Sequence, residues 1–243
     1  EELHDWLNGK EAVLSWKLDG LTIVLTYMGG KLSKAVTRGN GEVGEVITNN
    51  ARVFKNVPLS IPYQEELVLR GEAVISYSEF ERINSEIEDV DAKYKNPRNL
   101  CSGSVRQLNN EITARRNVNF YAFSLVKAGE TENGGLRAEQ LVFLQGLGFD
   151  VVEYRVVNPD TILEGIEYFE NRIQTYDVPS DGLVLTYNDI AYGQSLGRTA
   201  KFPRDSIAFK WADELREKVL KEMEWSASRR GLINPVAIFE PVE

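Results

Sequence analysis

The chain has 243 residues, of which 42% are hydrophobic and 27% charged, so it can bury a sizeable core as one large domain or two modest ones. No run approaches the apolar length of a membrane span, and a single cysteine, Cys101, excludes an internal disulfide and fits a reducing, cytoplasmic compartment. The lone histidine, His4, leaves no Cys/His zinc cluster and turns the search for chemistry toward Lys, Arg, Asp and Glu.

The formal charge of −9 argues against a nucleic-acid partner on average, because phosphate neutralisation dominates such affinity. The average hides two basic runs. One holds Lys93, Lys95, Arg98, Arg106, Arg115 and Arg116 against Glu111; the other holds Arg198, Lys201, Arg204 and Lys210 against Asp205. The opening EELHDWLNGK has neither an initiator Met nor a signal-peptide pattern, and the closing NPVAIFEPVE stops on strand-like residues. Both ends read as cuts inside a longer protein.

In chain order, residues 13–27 and 32–37 are expected as strands joined at Met28-Gly29-Gly30-Lys31, a glycine hairpin. Apolar residues of the first run fall on odd numbers, which places Lys17 and Asp19 on the inward side, about 6 to 7 Å apart along the strand. Residues 67–75 form a strand. The pattern Ser78-Glu79-Phe80-Glu81 then opens a helix to about residue 87, and Asn96-Pro97-Arg98-Asn99 opens another, with Pro where a first turn accepts it. Strands follow at 118–126, 151–157, 182–187 and 206–211, with helices at 136–147 and 159–174. Strands arrive singly, as hairpins and as returns after helices, which predicts an α+β fold with largely antiparallel sheets flanked by helices. One large domain is expected over 1–212. Beyond it, strands at 219–225 and 235–239 around a turn at Ser228-Arg229-Arg230-Gly231 read as the first hairpin of a small β domain over 213–243.

Gly39-Asn40-Gly41-Glu42-Val43-Gly44 matches G-x-G-x-x-G after a strand. Pro58 and Pro62 follow too soon for the helix and second strand that give this pattern meaning, so it reads as a turn.

The chemistry gathers around Lys17. An amine attacks only when unprotonated, which requires partial burial and neighbouring cations; a buried Lys17–Asp19 ion pair is the structural alternative. Other segments support a site. Arg70-Gly71-Glu72 interrupts an apolar strand with a carboxylate able to accept hydrogen bonds from a ribose. Asp181-Gly182 repeats the acid–glycine entry into a strand, Lys210 ends another, and Arg98 and Arg106 flank small residues that permit close approach to phosphate.

Lys-x-Asp-Gly at 17–20 resembles the signature of covalent nucleotidyltransferases. Together with ThrArgGlyAsnGly at 37–41, ArgGlyGlu at 70–72, AsnProArgAsn followed by GlySerValArgGln at 96–107, AspGlyLeuVal at 181–184 and AlaPheLys at 208–210, the chain is similar to the adenylation domain of NAD-dependent bacterial DNA ligases. The tail resembles the start of their oligonucleotide-binding domain. The resemblance implies that Lys17 takes AMP from NAD as a phosphoramidate, releases nicotinamide mononucleotide, and passes AMP to the 5′-phosphate of nicked double-stranded DNA for sealing in replication and repair. It further implies a monomer, with Asp19 and Gly20 shaping the turn of the nucleophile and Arg38 and Lys210 clamping the transferring phosphate. Ser15, Leu18, Gly20, Glu72, Arg98, Arg106, Phe123, Val184 and Thr186 line the cofactor, with Phe123 and Val184 sandwiching adenine, and Glu72 and Asp181 are the candidates for Mg2+. An ATP-using polynucleotide ligase or capping enzyme, and a non-catalytic nucleotide-binding relative, remain as alternatives.

Two departures stand out. The family carries Glu two places before its nucleophile and Lys in the strand after Asp-Gly, where this chain has Ser15 and Thr186. Both charges are gone together, so neither leaves an uncompensated partner, and the hydroxyl pair can still bond a base edge. The family also grips the nicotinamide half of NAD with an N-terminal domain, and the residues before Glu11 are too few for one, so the chain alone is expected to adenylate poorly from NAD.

Overall fold

The computed structural model describes residues 1–39, 43–130, 135–211, 220–227 and 233–239, the last two segments as backbone. Its elements run α1 (Glu2–Leu7), β1 (Ala12–Leu18), β2 (Leu21–Met28), β3 (Lys31–Thr37), α2 (Thr48–Ala51), β4 (Leu67–Val74), α3 (Tyr77–Ser85), a short 3-10 turn (Val90–Ala92), α4 (Pro97–Val105), α5 (Asn110–Arg115), β5 (Asn119–Ala128) and α6 (Arg137–Gly146). They continue β6 (Tyr154–Val157), α7 (Ile162–Arg172), β7 (Ser180–Tyr187), α8 (Ile190–Ser195), β8 (Ser206–Lys210), β9 (Leu220–Ala227) and β10 (Ile233–Phe239).

The chain divides into two units, Glu1–Lys210 and Trp211–Glu243. In the first, antiparallel strands form two four-stranded sheets, ordered β6-β1-β7-β8 and β3-β2-β4-β5. This is the α+β arrangement the sequence predicts. In the second, β9 and β10 pair antiparallel. The turn expected at 228–231, the residues 212–219, and Asn40, Gly41 and Glu42 of the glycine-rich stretch lie outside the described residues.

The opening run corrects the sequence reading. It is two strands in different sheets, and the buried side changes phase between them: Leu14, Trp16 and Leu18 in β1, but Ile23, Leu25 and Tyr27 in β2. Lys17 therefore lies on the face opposite Trp16 and does not share a side with Ile23. A single odd-numbered period drawn across Asp19-Gly20 hid this slip. Gly20 makes the crossover possible, because a Cβ there would sit 2.0 Å from the Ala73 carbonyl oxygen and 2.8 Å from Val74 Cγ1.

Each sheet has one apolar face under helices. On the first, Trp16 stacks on Tyr176 at 4.6 Å between ring centroids and meets Phe169 of α7 edge-on at 4.7 Å. Gly165 lets α7 approach, since a Cβ there would lie 2.8 Å from Val157 Cγ1 and 3.1 Å from Leu14 Cδ2. On the second, Ile23, Leu25, Leu69, Phe120 and Ala122 pack with Leu100 of α4 and Leu144 of α6. Burying side chains of this size contributes about 1.5–3 kcal/mol each.

Several boundaries move for local reasons. The cap of α3 is Ser76, not Ser78: its hydroxyl accepts from the Glu79 N–H, so the S-x-x-E pattern is Ser76 to Glu79. Helix α7 starts at Ile162 because the Asn158 side chain accepts from the N–H groups of Asp160 and Thr161 and holds a turn. The strand expected from 151 begins at Tyr154, with Val151 making only an isolated parallel bridge to Ala122.

Candidate active site

The register of the first sheet places Ser15 opposite Val184, Lys17 opposite Gly182, and Gly182 opposite Lys210. Cross-strand partners share a face, so Ser15, Lys17, Val184 and Lys210 project to the side away from Trp16. Thr186 stands opposite Val13, one step diagonal from Ser15 on that face. Gly182 is required here, because a Cβ would lie 2.1 Å from the Phe209 carbonyl oxygen.

Alternation alone would send Asp181 to the buried side with Leu183 and Leu185. A bulge between Lys17 and Leu18 breaks the pairing with β7 at that point, and bulges re-aim side chains. The Lys17 ammonium donates to both Asp181 oxygens, at 3.1 and 3.2 Å. Lys210 Nζ lies 3.9 Å from Asp181 Oδ2. One half-buried carboxylate thus bridges two ammonium groups. The partner of Lys17 is Asp181, not Asp19 as the simple ion-pair alternative had it; Asp19 lies 3.6 Å from the Arg98 guanidinium.

The second sheet supplies Glu72. It sits on β4, between β2 and β5, and is not an edge charge. The Thr22 hydroxyl donates to Oε1 at 2.8 Å and the Gly20 N–H to Oε2 at 3.2 Å. Burial nonetheless pushes the Glu72 carboxyl up from 4.5 to about 7, against the pull of those two hydrogen bonds and of Arg98, with Asp19 adding to the rise. The Gly20 crossover therefore joins the two sheets' polar faces: Lys17 lies three residues before it, and its own N–H binds Glu72.

Other expected residues are more dispersed. Arg38, just past β3, is exposed and donates its backbone N–H to the Thr22 carbonyl. Arg106 is drawn to Glu45 at 3.0 Å and to Ser102. Phe123, on β5, is 39% exposed and lies in the other sheet from Val184. Leu18 turns its side chain into the core with Leu14 and Trp16, so only its backbone can line the site. Sequence reasoning missed Thr22 and Tyr121, which stand opposite Glu72 from either side. Thr22 stands with Thr26 on the even-numbered side of β2, where a hydroxyl breaks no pattern, so the period carried no signal for it.

Among the described residues no three His, Cys, Asp or Glu side chains gather as a metal-holding group. Magnesium keeps several waters and is bound by one or two carboxylates with substrate phosphates. The residues present fit that mode, with Asp181 beside the two ammonium groups and Glu72 the second expected carboxylate.

Residues 2–214 match the family model for the NAD-dependent DNA ligase adenylation domain. The chain is 68% identical over 241 residues to a DNA ligase of Lachnoclostridium phytofermentans and 63% identical over 241 residues to one of Ruminiclostridium cellulolyticum, each alignment covering 99% of this chain and 37% of the relative. It thus spans little more than a third of the length of these curated relatives. A solved mycobacterial DNA ligase D complexed with ATP and MES is similar over 84% of this chain and 56% of its own, at 13% identity and a TM-score of 0.46, and the assignment does not rest on it. No helix among the described residues is long and apolar enough to cross a membrane. From the match over almost the whole chain, this protein belongs to the family of NAD-dependent DNA ligase adenylation domains.

Proposed function

We propose that this chain carries the nucleotidyl-transfer step of DNA ligation, with Lys17 as the nucleophile. The observation that supports this reading best is the bridge of Asp181 between the Lys17 and Lys210 ammonium groups on the site face. Lys17 Nζ attacks the α-phosphorus of NAD, a P–N bond forms, and the P–O bond to the nicotinamide mononucleotide phosphate breaks, the leaving oxygen keeping the electron pair. Asp181, within hydrogen-bond reach of Nζ, takes the amine proton. Lys210 and Arg38 stabilise the charge that grows on the phosphate, which is where fixed cations contribute most. Glu72 binds the ribose, and Ser15, Val184 and Thr186 form the floor against which adenine lies, with Phe123 stacking. Asp181 would hold magnesium together with the nucleotide phosphates, and the ion would supply further charge neutralisation there.

AMP then passes to the 5′-phosphate of nicked duplex DNA and is displaced by the 3′-hydroxyl, in a cytoplasmic monomer serving replication and repair. Residues 213–243 are the linker and first hairpin of an oligonucleotide-binding domain. Ser15 and Thr186 read the base edge by neutral hydrogen bonds, and activity is retained. The family match favours NAD over ATP as donor. Incubation with each dinucleotide or triphosphate in turn, in a protein extended to the length of its relatives, tests this: one added AMP on Lys17 from NAD alone is expected, whereas adduct from ATP alone, or none from either, would remove it.

A further inference from the structure

We infer that Ser180 is a positioning residue for the transfer step: its hydroxyl staples the bulge that aims the Asp181 carboxylate at the Lys17 ammonium. The inference rests on the proposed roles of Lys17 and Asp181 and adds a neutral residue that acts through them. In a regular ladder the step from Lys17 to Leu18 is matched by one step along β7. Here Lys17 stands opposite Gly182 and Leu18 opposite Ser180, so Asp181 is an extra residue with no partner in β1. An extra residue bends its strand and turns its own side chain off the alternation. Asp181 thereby faces Lys17, although Leu183 and Leu185, two and four residues on, are fully buried in the layer behind.

A bulge interrupts the ladder, and the backbone oxygens beside it need a donor from elsewhere. Ser180 supplies one. Its hydroxyl lies 3.1 Å from the Lys17 carbonyl oxygen, across the strands, and 3.0 Å from the Gly182 carbonyl oxygen, on the far side of the bulge. A hydroxyl has a single proton, so the two oxygens share it. One half-buried side chain therefore ties the backbone of the nucleophile to both flanks of its carboxylate partner.

The segment that enters the bulge is anchored in turn. The Asp19 N–H donates to the Pro179 carbonyl at 2.9 Å, which resumes the contact with the chain after β1 one residue before Ser180. Asp177 docks on the first turn of α3: its carbonyl accepts from the Tyr77 N–H at 2.9 Å and its carboxylate from the Ser78 N–H at 3.0 Å. With both approaches fixed, the bulge is the joint left to close, and the Ser180 hydroxyl closes it. Loss of that hydroxyl leaves every charge of the Lys17–Asp181–Lys210 cluster in place and frees only the aim of Asp181.

The test uses Ser180→Ala in the protein extended to the length of its relatives, with Ser180→Cys, whose thiol is a weak donor of similar bulk, in its place should alanine bring the melting transition below the assay temperature. At saturating NAD the single-turnover rate of AMP attachment should fall by roughly ten- to a hundredfold, since small misplacements of reacting groups cost that much, while the NAD concentration for half-maximal rate is unchanged. In an Asp181→Asn background the same serine change should cost less than about twofold, because the staple acts through that carboxylate. A second readout needs no transfer. Acylation requires the neutral amine, which a carboxylate partner disfavours, so Lys17 should label with acetic anhydride several-fold faster in Ser180→Ala than in the wild type, relative to the other lysines. An unchanged rate of AMP attachment, an equal loss with and without the Asp181 carboxylate, or unchanged labelling of Lys17 would each overturn the staple. Failure of the wild-type protein to acquire AMP would count against the proposed function, and the labelling of Lys17 would then decide the staple by itself.

Discussion

Glu72 should make stability fall as pH rises. Its carboxyl titrates near 7 in the folded chain against an ordinary 4.5, chiefly because burial disfavours the anion. Below pH 4.5 both states hold the proton and the group contributes no difference. Between 4.5 and 7 the unfolded chain releases the proton first, so the folded state binds more protons and loses stability with each step upward. About 2.5 units at 1.36 kcal/mol per unit gives roughly 3 kcal/mol, complete once pH passes 7. Glu72→Gln removes this titration while its amide oxygen can still accept from the Gly20 N–H and its NH2 can donate to the Thr22 hydroxyl. Urea unfolding of both proteins from pH 5 to 8, in chelator-treated buffer, should show the variant gaining on the wild type by about 2.5 kcal/mol across that window, the remainder being lost already below pH 5. Subtracting the two curves cancels every other group. Curves that stay parallel would refute the buried-carboxyl reasoning, and with it the picture of Glu72 as a neutral-leaning ribose ligand.

Gly20→Ala should destabilise the chain by roughly 1–3 kcal/mol, since the added methyl meets the Ala73 carbonyl; a thermal melt that does not move would show that the crossover is looser than described. Asp181→Asn should slow AMP transfer to Lys17 by about 10²-fold or more while leaving the fold intact, and a time course of intact mass reads this directly. Ser15→Glu and Thr186→Lys should each weaken AMP binding, yet the double variant should recover most of the loss, with a coupling of about 1–3 kcal/mol by calorimetric double-mutant cycle. Additive losses would mean that the diagonal pair does not meet.

Much of the site was legible because its residues break local rules. A carboxylate in the middle of an apolar strand, as at Glu72, and a lysine at the end of another, as at Lys210, declare themselves without a structure. The partnership of Lys17 was not legible. The choice between Asp19 and Asp181 depends on a bulge opposite Leu18 and on a phase slip at Gly20, and neither changes composition or period within either strand. Leu18 entered as site-lining through the resemblance alone, and its side chain lies in the core. Short helices such as α1, α5 and α8, each of six residues, carry too few turns for a period to show.

The most direct measurement is intact mass followed by peptide mapping after incubation with NAD, with ATP in parallel, on the wild type and on Lys17→Ala, in the protein extended to the length of its relatives. One AMP on the peptide bearing Lys17, from NAD and absent in the variant, is the expected result. AMP on another residue, or an adduct that persists in Lys17→Ala, would contradict the assignment of Lys17 as the nucleophile.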